Sequence, residues 1–176
     1  MAKLAFLGLG VMGYPMAGHL KAAGNDVTVY NRTATKAEAW AARHGGAWAA
    51  SPRAAADGCD FVMACVGNDD DLRAVVTGPD GALAGMKPGA IFVDHTTVSA
   101  TVTRELAALA HAQGAGWVDA PVSGGQAGAE NGKLAIMCGG DDAHFAAAEA
   151  VVAAYSKATV HFGAVGAGQL TKMVNQ

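Results

Sequence analysis

Charge is scarce in this chain. Only 15% of its 176 residues are Asp, Glu, Lys or Arg, the formal net charge is −3, and no run of Lys or Arg stands out. A dedicated nucleic-acid or membrane surface needs a concentrated field of one sign, so neither partner is expected. Cysteine is scarcer still. Cys59, Cys65 and Cys138 are three in number, widely spaced and without a CxxC pair. That argues against a disulfide framework and against a zinc site, and no metal is expected. Cys65 and Cys138 fall in apolar, strand-like runs and read as small buried hydrophobes. Long apolar runs are also missing. The stretch after Met1-Ala2-Lys3 is broken by glycines, and no small-residue cleavage site follows it. Nothing approaches the ~20 apolar residues of a membrane span. A reducing, cytoplasmic setting without a signal peptide is the expectation.

What is present is apolar content, 52% of a chain long enough for one domain with a full core. Strand-like and helix-like segments alternate with short connections, without internal repeats or low-complexity segments. Strands are expected at 3–8, 26–31, 47–49, 59–66, 90–94, 117–120, 134–138 and 159–162. Helices are expected at 12–23, 35–44, 69–76, 99–112 and 142–155, with another from about 168. Gly24 suits the position just past a helix end, and Ser51-Pro52 suits a helix start, with Ser as N-cap and Pro first in the helix. This alternation predicts an α/β fold: a doubly wound, mostly parallel sheet with helices on both faces. Ligands then bind along the edge formed by the strand C-termini.

The first strand runs into Gly8-Leu9-Gly10-Val11-Met12-Gly13, and a helix follows. GxGxxG alone is a weak signal, but a buried strand before it and a helix after it make the Rossmann dinucleotide turn. The first glycine permits the turn, the second lets the backbone approach a pyrophosphate, and the third lets helix and strand pack. Free N–H groups at the helix start favour the phosphate charge. The alternative is a turn that binds nothing. Past the second strand stand Asn31, Arg32 and Thr33, where an acidic residue would favour NAD. Asn31 cannot repel a 2′-phosphate, Arg32 can grip one with its charged fork, and Thr33 adds a hydroxyl, so NADP is expected and NAD remains possible. The plain alternative is that Arg32 is a solvated surface charge.

Two further constellations carry chemistry. Ser123-Gly124-Gly125 follows Asp119-Ala120-Pro121-Val122 at a strand end, where successive backbone N–H groups beside a hydroxyl suit a carboxylate. A flexible turn would look the same. Near the end stands Gly166-Ala167-Gly168-Gln169-Leu170-Thr171-Lys172-Met173-Val174-Asn175-Gln176. On a helix, Lys172 and Asn175 share a face. A lysine facing a closed apolar cleft loses solvation and suits proton transfer; the commoner fate is a snorkelling surface lysine.

Together with Tyr14-Pro15-Met16-Ala17 after the glycine turn, these three segments resemble the signatures of the β-hydroxyacid dehydrogenase family, which includes 3-hydroxyisobutyrate dehydrogenases and tartronate semialdehyde reductases. They occur in the family's order and span the chain. The resemblance implies hydride transfer between a nicotinamide and a small β-hydroxy acid or its semialdehyde. It implies that Asn31, Arg32 and Thr33 face the adenosine ribose, that Val66, Gly67 and Asn68 line the dinucleotide, and that Thr96 sits near the nicotinamide. Ser123, Gly124 and Gly125 would bind the substrate carboxylate. Lys172 would be the general acid–base group, with Asn175 and Ser123 beside it in the catalytic set.

Family members often carry Asn where Gln176 stands, which leaves open which amide touches substrate. They also continue through a long helix into an all-helical domain that closes the cleft and forms the dimer. The resemblance therefore implies a dinucleotide-binding domain over 1–165 and the start of an interdomain helix over 166–176, in a homo-oligomeric parent. A non-catalytic dinucleotide-binding module and an imine reductase relative are the rival readings. Lys172 weighs against both.

Overall fold

Apolar residues at consecutive strand positions need cover on both faces, and a parallel sheet between helical layers supplies it. The structure, a computed structural model, describes residues 1–175. β1 (Lys3–Leu7), β2 (Asp26–Tyr30), β3 (Ala47–Trp48), β4 (Phe61–Ala64), β5 (Ile91–Asp94) and β6 (Gly116–Asp119) form one parallel sheet in the order β3-β2-β1-β4-β5-β6. This is the Rossmann order, which reverses direction between β1 and β4 and opens a crevice at their C-terminal ends.

Strand periodicity assigns the two cores. Leu4, Phe6, Val27, Val29 and Met63 point to one face, under Met16 and Leu20 of α1 (Gly13–Ala22) and Trp40 of α2 (Ala34–His44). Ala5, Leu7, Val62 and Ala64 point to the other. There they meet α3 (Pro52–Ala56), α4 (Asp69–Val76), α5 (Ala82–Gly85) and α6 (Ala100–Ala112) through Ala55, Leu72, Leu83 and Leu106. Phe92 and Trp117 stack on this second face with ring centroids 4.4 Å apart. The expected cap at Ser51 is present: its Oγ accepts from the Ala54 N–H at 3.1 Å, with Pro52 first in α3.

The chain after β6 departs from the simple alternation. β7 (Val122–Ser123), β8 (Leu134–Cys138) and β9 (Ser156–His161) make a separate three-stranded sheet, β7 antiparallel to β8 and β8 parallel to β9. An antiparallel bridge between Asp119 and Gly139 ties it to β6. β7, α5 and α7 (Gly125–Asn131) are not foreseen from hydrophobic periodicity, being short segments without a repeat of their own. α8 (Asp142–Val152) covers the first face, and the helix expected to run to 155 tightens into a 3₁₀ turn, Ala153–Tyr155. Tertiary contact decides that ending, because the buried Tyr155 hydroxyl bonds to His95. α9 (Ala167–Asn175) lies against β8, β6 and α6. Among the described residues, no helix is long and apolar enough to cross a membrane.

Candidate functional site

The five residues between β1 and α1 form the floor of a cleft. Gly8 has φ +98°, and a Cβ there would run into the Cys65 carbonyl. A Cβ at Gly13 would run into the Gly8 carbonyl and stand 3.0 Å from the Phe6 ring, so glycine here lets α1 approach β1. Gly10 is different: nothing lies within 4 Å of its Cβ position. The fold itself gives no reason for glycine there, and the open space is the cleft. The Leu9 N–H donates to Asn31 Oδ1 at 2.9 Å, which fixes the turn to the end of β2.

The cleft has a volume of about 780 Å³ and runs from the glycine turn, residues 8–13, past Tyr30, Asn31 and Arg32 to Asp71 and Val75 of α4. Val66 and Gly67 line it at the end of β4. Arg32 is 89% exposed at its mouth and pairs with Asp71, Nη1 to Oδ1, at 3.8 Å. Asp71 has no local sequence signal, since it reaches the cleft from one turn into an acidic helix. Thr33 and Asn68 fall outside the lining. Thr33 is exposed at the N-cap position of α2, and Asn68 caps α4 by accepting from the Asp71 N–H at 2.8 Å. Cys65, expected as a buried hydrophobe, is half-buried at the cleft floor because β4 ends one residue before it. Desolvation pushes its thiol up to about 12, so it is an un-ionised group without nucleophilic character at neutral pH.

A second cavity of about 360 Å³ adjoins the first, sharing Met12, Cys65, Val66 and Gly67 with its lining. Thr96, Ser123, Gly124, Gly125 and Lys172 line its far part. Long-range hydrogen bonds place Lys172 there. Asp119, at the end of β6, accepts from the Gly166 N–H at 2.8 Å with Oδ1 and from the Gln169 N–H at 3.0 Å with Oδ2. The buried Gln169 side chain donates to the Thr96 carbonyl at 2.7 Å and accepts from the Val98 N–H at 3.3 Å. Gly168 has no side chain where one would strike the Met137 carbonyl. α9 is thus bolted to the sheet edge at its first turn, and Lys172 follows one turn later. Asn175, one turn beyond Lys172, is exposed and outside the cavity lining, and Gln176 lies outside the described residues.

Beneath this cavity sits a buried polar layer that periodicity does not announce. Thr96 Oγ1 accepts from the Val66 N–H at 3.0 Å, and its own N–H donates to Asp94 Oδ1 at 3.0 Å. Asp94 Oδ2 has no partner. Desolvation raises this carboxyl to about 7, against the lowering effect of the Thr96 bonds. Asp119 is also raised, again by desolvation first, with the α9 N–H groups opposing. His95 Nδ1 donates to the Ala120 carbonyl and Nε2 accepts from Tyr155 Oη, both at 2.7 Å. Burial lowers His95 to about 4, so it is a neutral, fully engaged strut at pH 7.

A glycine turn at the β1–β4 crevice, beside a lysine-bearing cavity, matches a known type of domain. The family described as the NAD binding domain of 6-phosphogluconate dehydrogenase matches residues 3–163. The chain belongs to that family. An uncharacterized oxidoreductase of Shewanella frigidimarina is 61% identical over 176 residues, which is all of this chain and 60% of that protein. A solved 3-hydroxyisobutyrate dehydrogenase of Mycobacterium tuberculosis, with L-serine, is 39% identical with a TM-score of 0.93, over 99% of this chain and 59% of that one. The structure called Psf3 in complex with NADP⁺ and 2-OPP is 27% identical with a TM-score of 0.91, over 98% of this chain and 61% of that one. The chain thus spans about 60% of the length of such relatives. In this NAD binding domain, Gly10→Ala is expected to leave the melting temperature unchanged, because the methyl meets no protein atom. Dinucleotide affinity should fall by about tenfold to a hundredfold, the cost of crowding a close contact. Unaltered affinity by calorimetric titration would separate Gly10 from the ligand.

Proposed function

We propose that this NAD binding domain is the cofactor-binding part of an oxidoreductase that interconverts a small β-hydroxy acid and its semialdehyde, preferring NADP and accepting NAD. The observation that carries this reading is the position of Lys172, in a cavity that adjoins the dinucleotide cleft and is also lined by Ser123, Gly124 and Gly125. A bound nicotinamide supplies or accepts the hydride. The chain's own residues do the rest. Gly8, Leu9, Gly10, Val11, Met12 and Gly13 cradle the pyrophosphate. Val66, Gly67 and Thr96 border the nicotinamide half, with Asn68 holding α4 beside it. Ser123 and the N–H groups of Gly124 and Gly125 hold the substrate carboxylate. Lys172 Nζ gives a proton to the carbonyl oxygen in reduction and assists its removal in oxidation. Asn175, exposed one turn beyond Lys172 and outside the cavity lining, is assigned the orientation of the lysine from the same helix. The segment from Gly166 through α9 begins the helix leading to the rest of a homo-oligomeric protein. Exposed Leu170, Met173 and Val174 on that helix support this last point.

Asn31 and Arg32 face the adenosine ribose in this reading, with Thr33 exposed just outside the cleft lining, and Arg32 reads the 2′-phosphate. Asp71 competes for the same guanidinium and tempers the preference. The test is turnover of a panel of small β-hydroxy acids by the whole protein with each cofactor, for wild type and Arg32→Ala. Oxidation of at least one such acid is expected. The variant should bind NADP(H) roughly 10–100-fold more weakly, with NAD(H) nearly unaffected, as for loss of a charge-assisted hydrogen bond. No turnover across the panel defeats the substrate class, and equal losses for both cofactors defeat the role of Arg32.

A further inference from the structure

At the end of β6 away from the cleft, the two helical layers meet around the edge of the sheet. β6 is an outer strand of the six, with α6 packed on one face and α8 on the other. His111 comes from the last turn of α6, Asp141 is the N-cap residue of α8, and His144 lies in its first turn. One ligand atom from each lies within 4.8 Å of the others. His144 Nδ1 stands 3.7 Å from Asp141 Oδ2, beyond hydrogen-bonding distance, and this nitrogen is buried without any partner. Gly116, which opens β6, makes the room: a Cβ there would stand 2.8 Å from Cε1 and Nε2 of His144. The two imidazoles face each other over this bare strand end, with centroids 6.2 Å apart.

We propose that His111, Asp141 and His144 form a binding site for a first-row divalent transition cation of the Zn²⁺ type. The two imidazoles are borderline donors, and with a single carboxylate beside them the set suits Zn²⁺, Ni²⁺ or Cu²⁺ over Mg²⁺ or Ca²⁺, which want mostly oxygen ligands. Bonds of about 2.0–2.1 Å in a tetrahedral site put ligand atoms about 3.3 Å apart. The 3.7 Å pair needs little adjustment, and the exposed side chains of His111 and Asp141 are free to close the remaining gap. The cation would satisfy the orphaned His144 nitrogen and water would complete its shell. It would tie α6 to α8 across the sheet edge, which makes it a structural clamp outside the chemistry at Lys172.

The test is titration of ZnCl₂ into chelator-stripped protein, by calorimetry and by thermal melting. The expected result is saturable binding at micromolar Zn²⁺ with one ion lost when the site is disabled, a melting temperature that rises with Zn²⁺, and no response to MgCl₂. His111→Ala removes an exposed side chain and should weaken this binding by about tenfold or more, with loss of most of the thermal shift. Asp141→Asn keeps a good N-cap residue while removing the anionic ligand, and should act in the same direction. His19→Ala, remote from the site, should bind as wild type. Absence of saturable Zn²⁺ binding, or wild-type affinity in both His111→Ala and Asp141→Asn, overturns the proposal.

Discussion

Lys172→Ala in the whole protein is expected to lower kcat by about 10²–10⁴, the usual contribution of a positioned acid–base group. Dinucleotide affinity should change little, because the glycine turn and Arg32 lie in the other part of the cleft. The fold should also survive. Lys172 is only partly buried, and α9 is held by Asp119 and Gln169 at its first turn, not by the lysine. Lys172→Arg should not restore turnover, since a guanidinium stays protonated and its planar fork is bulkier than an ammonium. Steady-state kinetics with a competent β-hydroxy acid, beside a melting curve, makes the distinction. A kcat within about threefold of wild type would return Lys172 to the solvated helix surface.

Asp94→Asn is expected to stabilise the protein at pH 7 by about 1–3 kcal/mol, with the gain disappearing toward pH 4. Unfolded, Asp94 ionises near 3.8; folded, desolvation holds it at about 7. The folded chain therefore binds the extra proton between these values. The contribution of Asp94 to stability is complete below pH 3.8 and is lost as pH rises toward 7, at up to about 1.4 kcal/mol per pH unit. Asparagine removes that loss and keeps an acceptor for the Thr96 N–H, although its amide protons inherit the partnerless side of Asp94. His95 acts in the opposite sense. Its folded value of about 4 lies below 6.5, so its contribution is complete above pH 6.5 and is lost as pH falls toward 4. The two slopes oppose each other in the wild type. In Asp94→Asn the Asp94 slope is gone, so stability should rise more from pH 4 to 6.5 than it does in the wild type, with Asp119 still opposing His95. Denaturant unfolding across this range measures both curves. A difference between variant and wild type that does not vary with pH would mean that Asp94 keeps its ordinary carboxylate value in the folded state.

The candidate site was legible wherever its chemistry is local. A glycine turn between one strand and one helix depends on φ at Gly8 and on close approach at Gly13, both settled within a few residues of chain. The cap at Ser51 and the strand periods that divide Leu4 and Phe6 from Ala5 and Leu7 are equally short-range. Local reading left the structural role unseen where one residue type can serve two purposes. Asn31 looks like a ribose contact and holds the Leu9 N–H; Asn68 looks like a dinucleotide contact and caps α4. Small polar side chains at element ends bond to backbone or to ligand with the same atoms.

By itself, then, the amino-acid sequence determined the order of the main strands and helices, the two-faced parallel sheet, the glycine turn and the segments that carry Ser123 and Lys172. Only the tertiary structure decided which distant groups those segments meet. Asp119 finds the N–H groups of α9 47 and 50 residues along the chain, and Gln169 reaches back 73 residues to the Thr96 carbonyl. His111 meets Asp141 and His144 where the edge strand β6 begins with a residue that leaves room for the His144 ring. Backbone preference and hydrophobic period act over one or two turns of chain. The partner of a buried carboxylate or imidazole is selected by how whole layers pack, because a polar group cut off from water must bond to whatever the fold brings within about 3 Å.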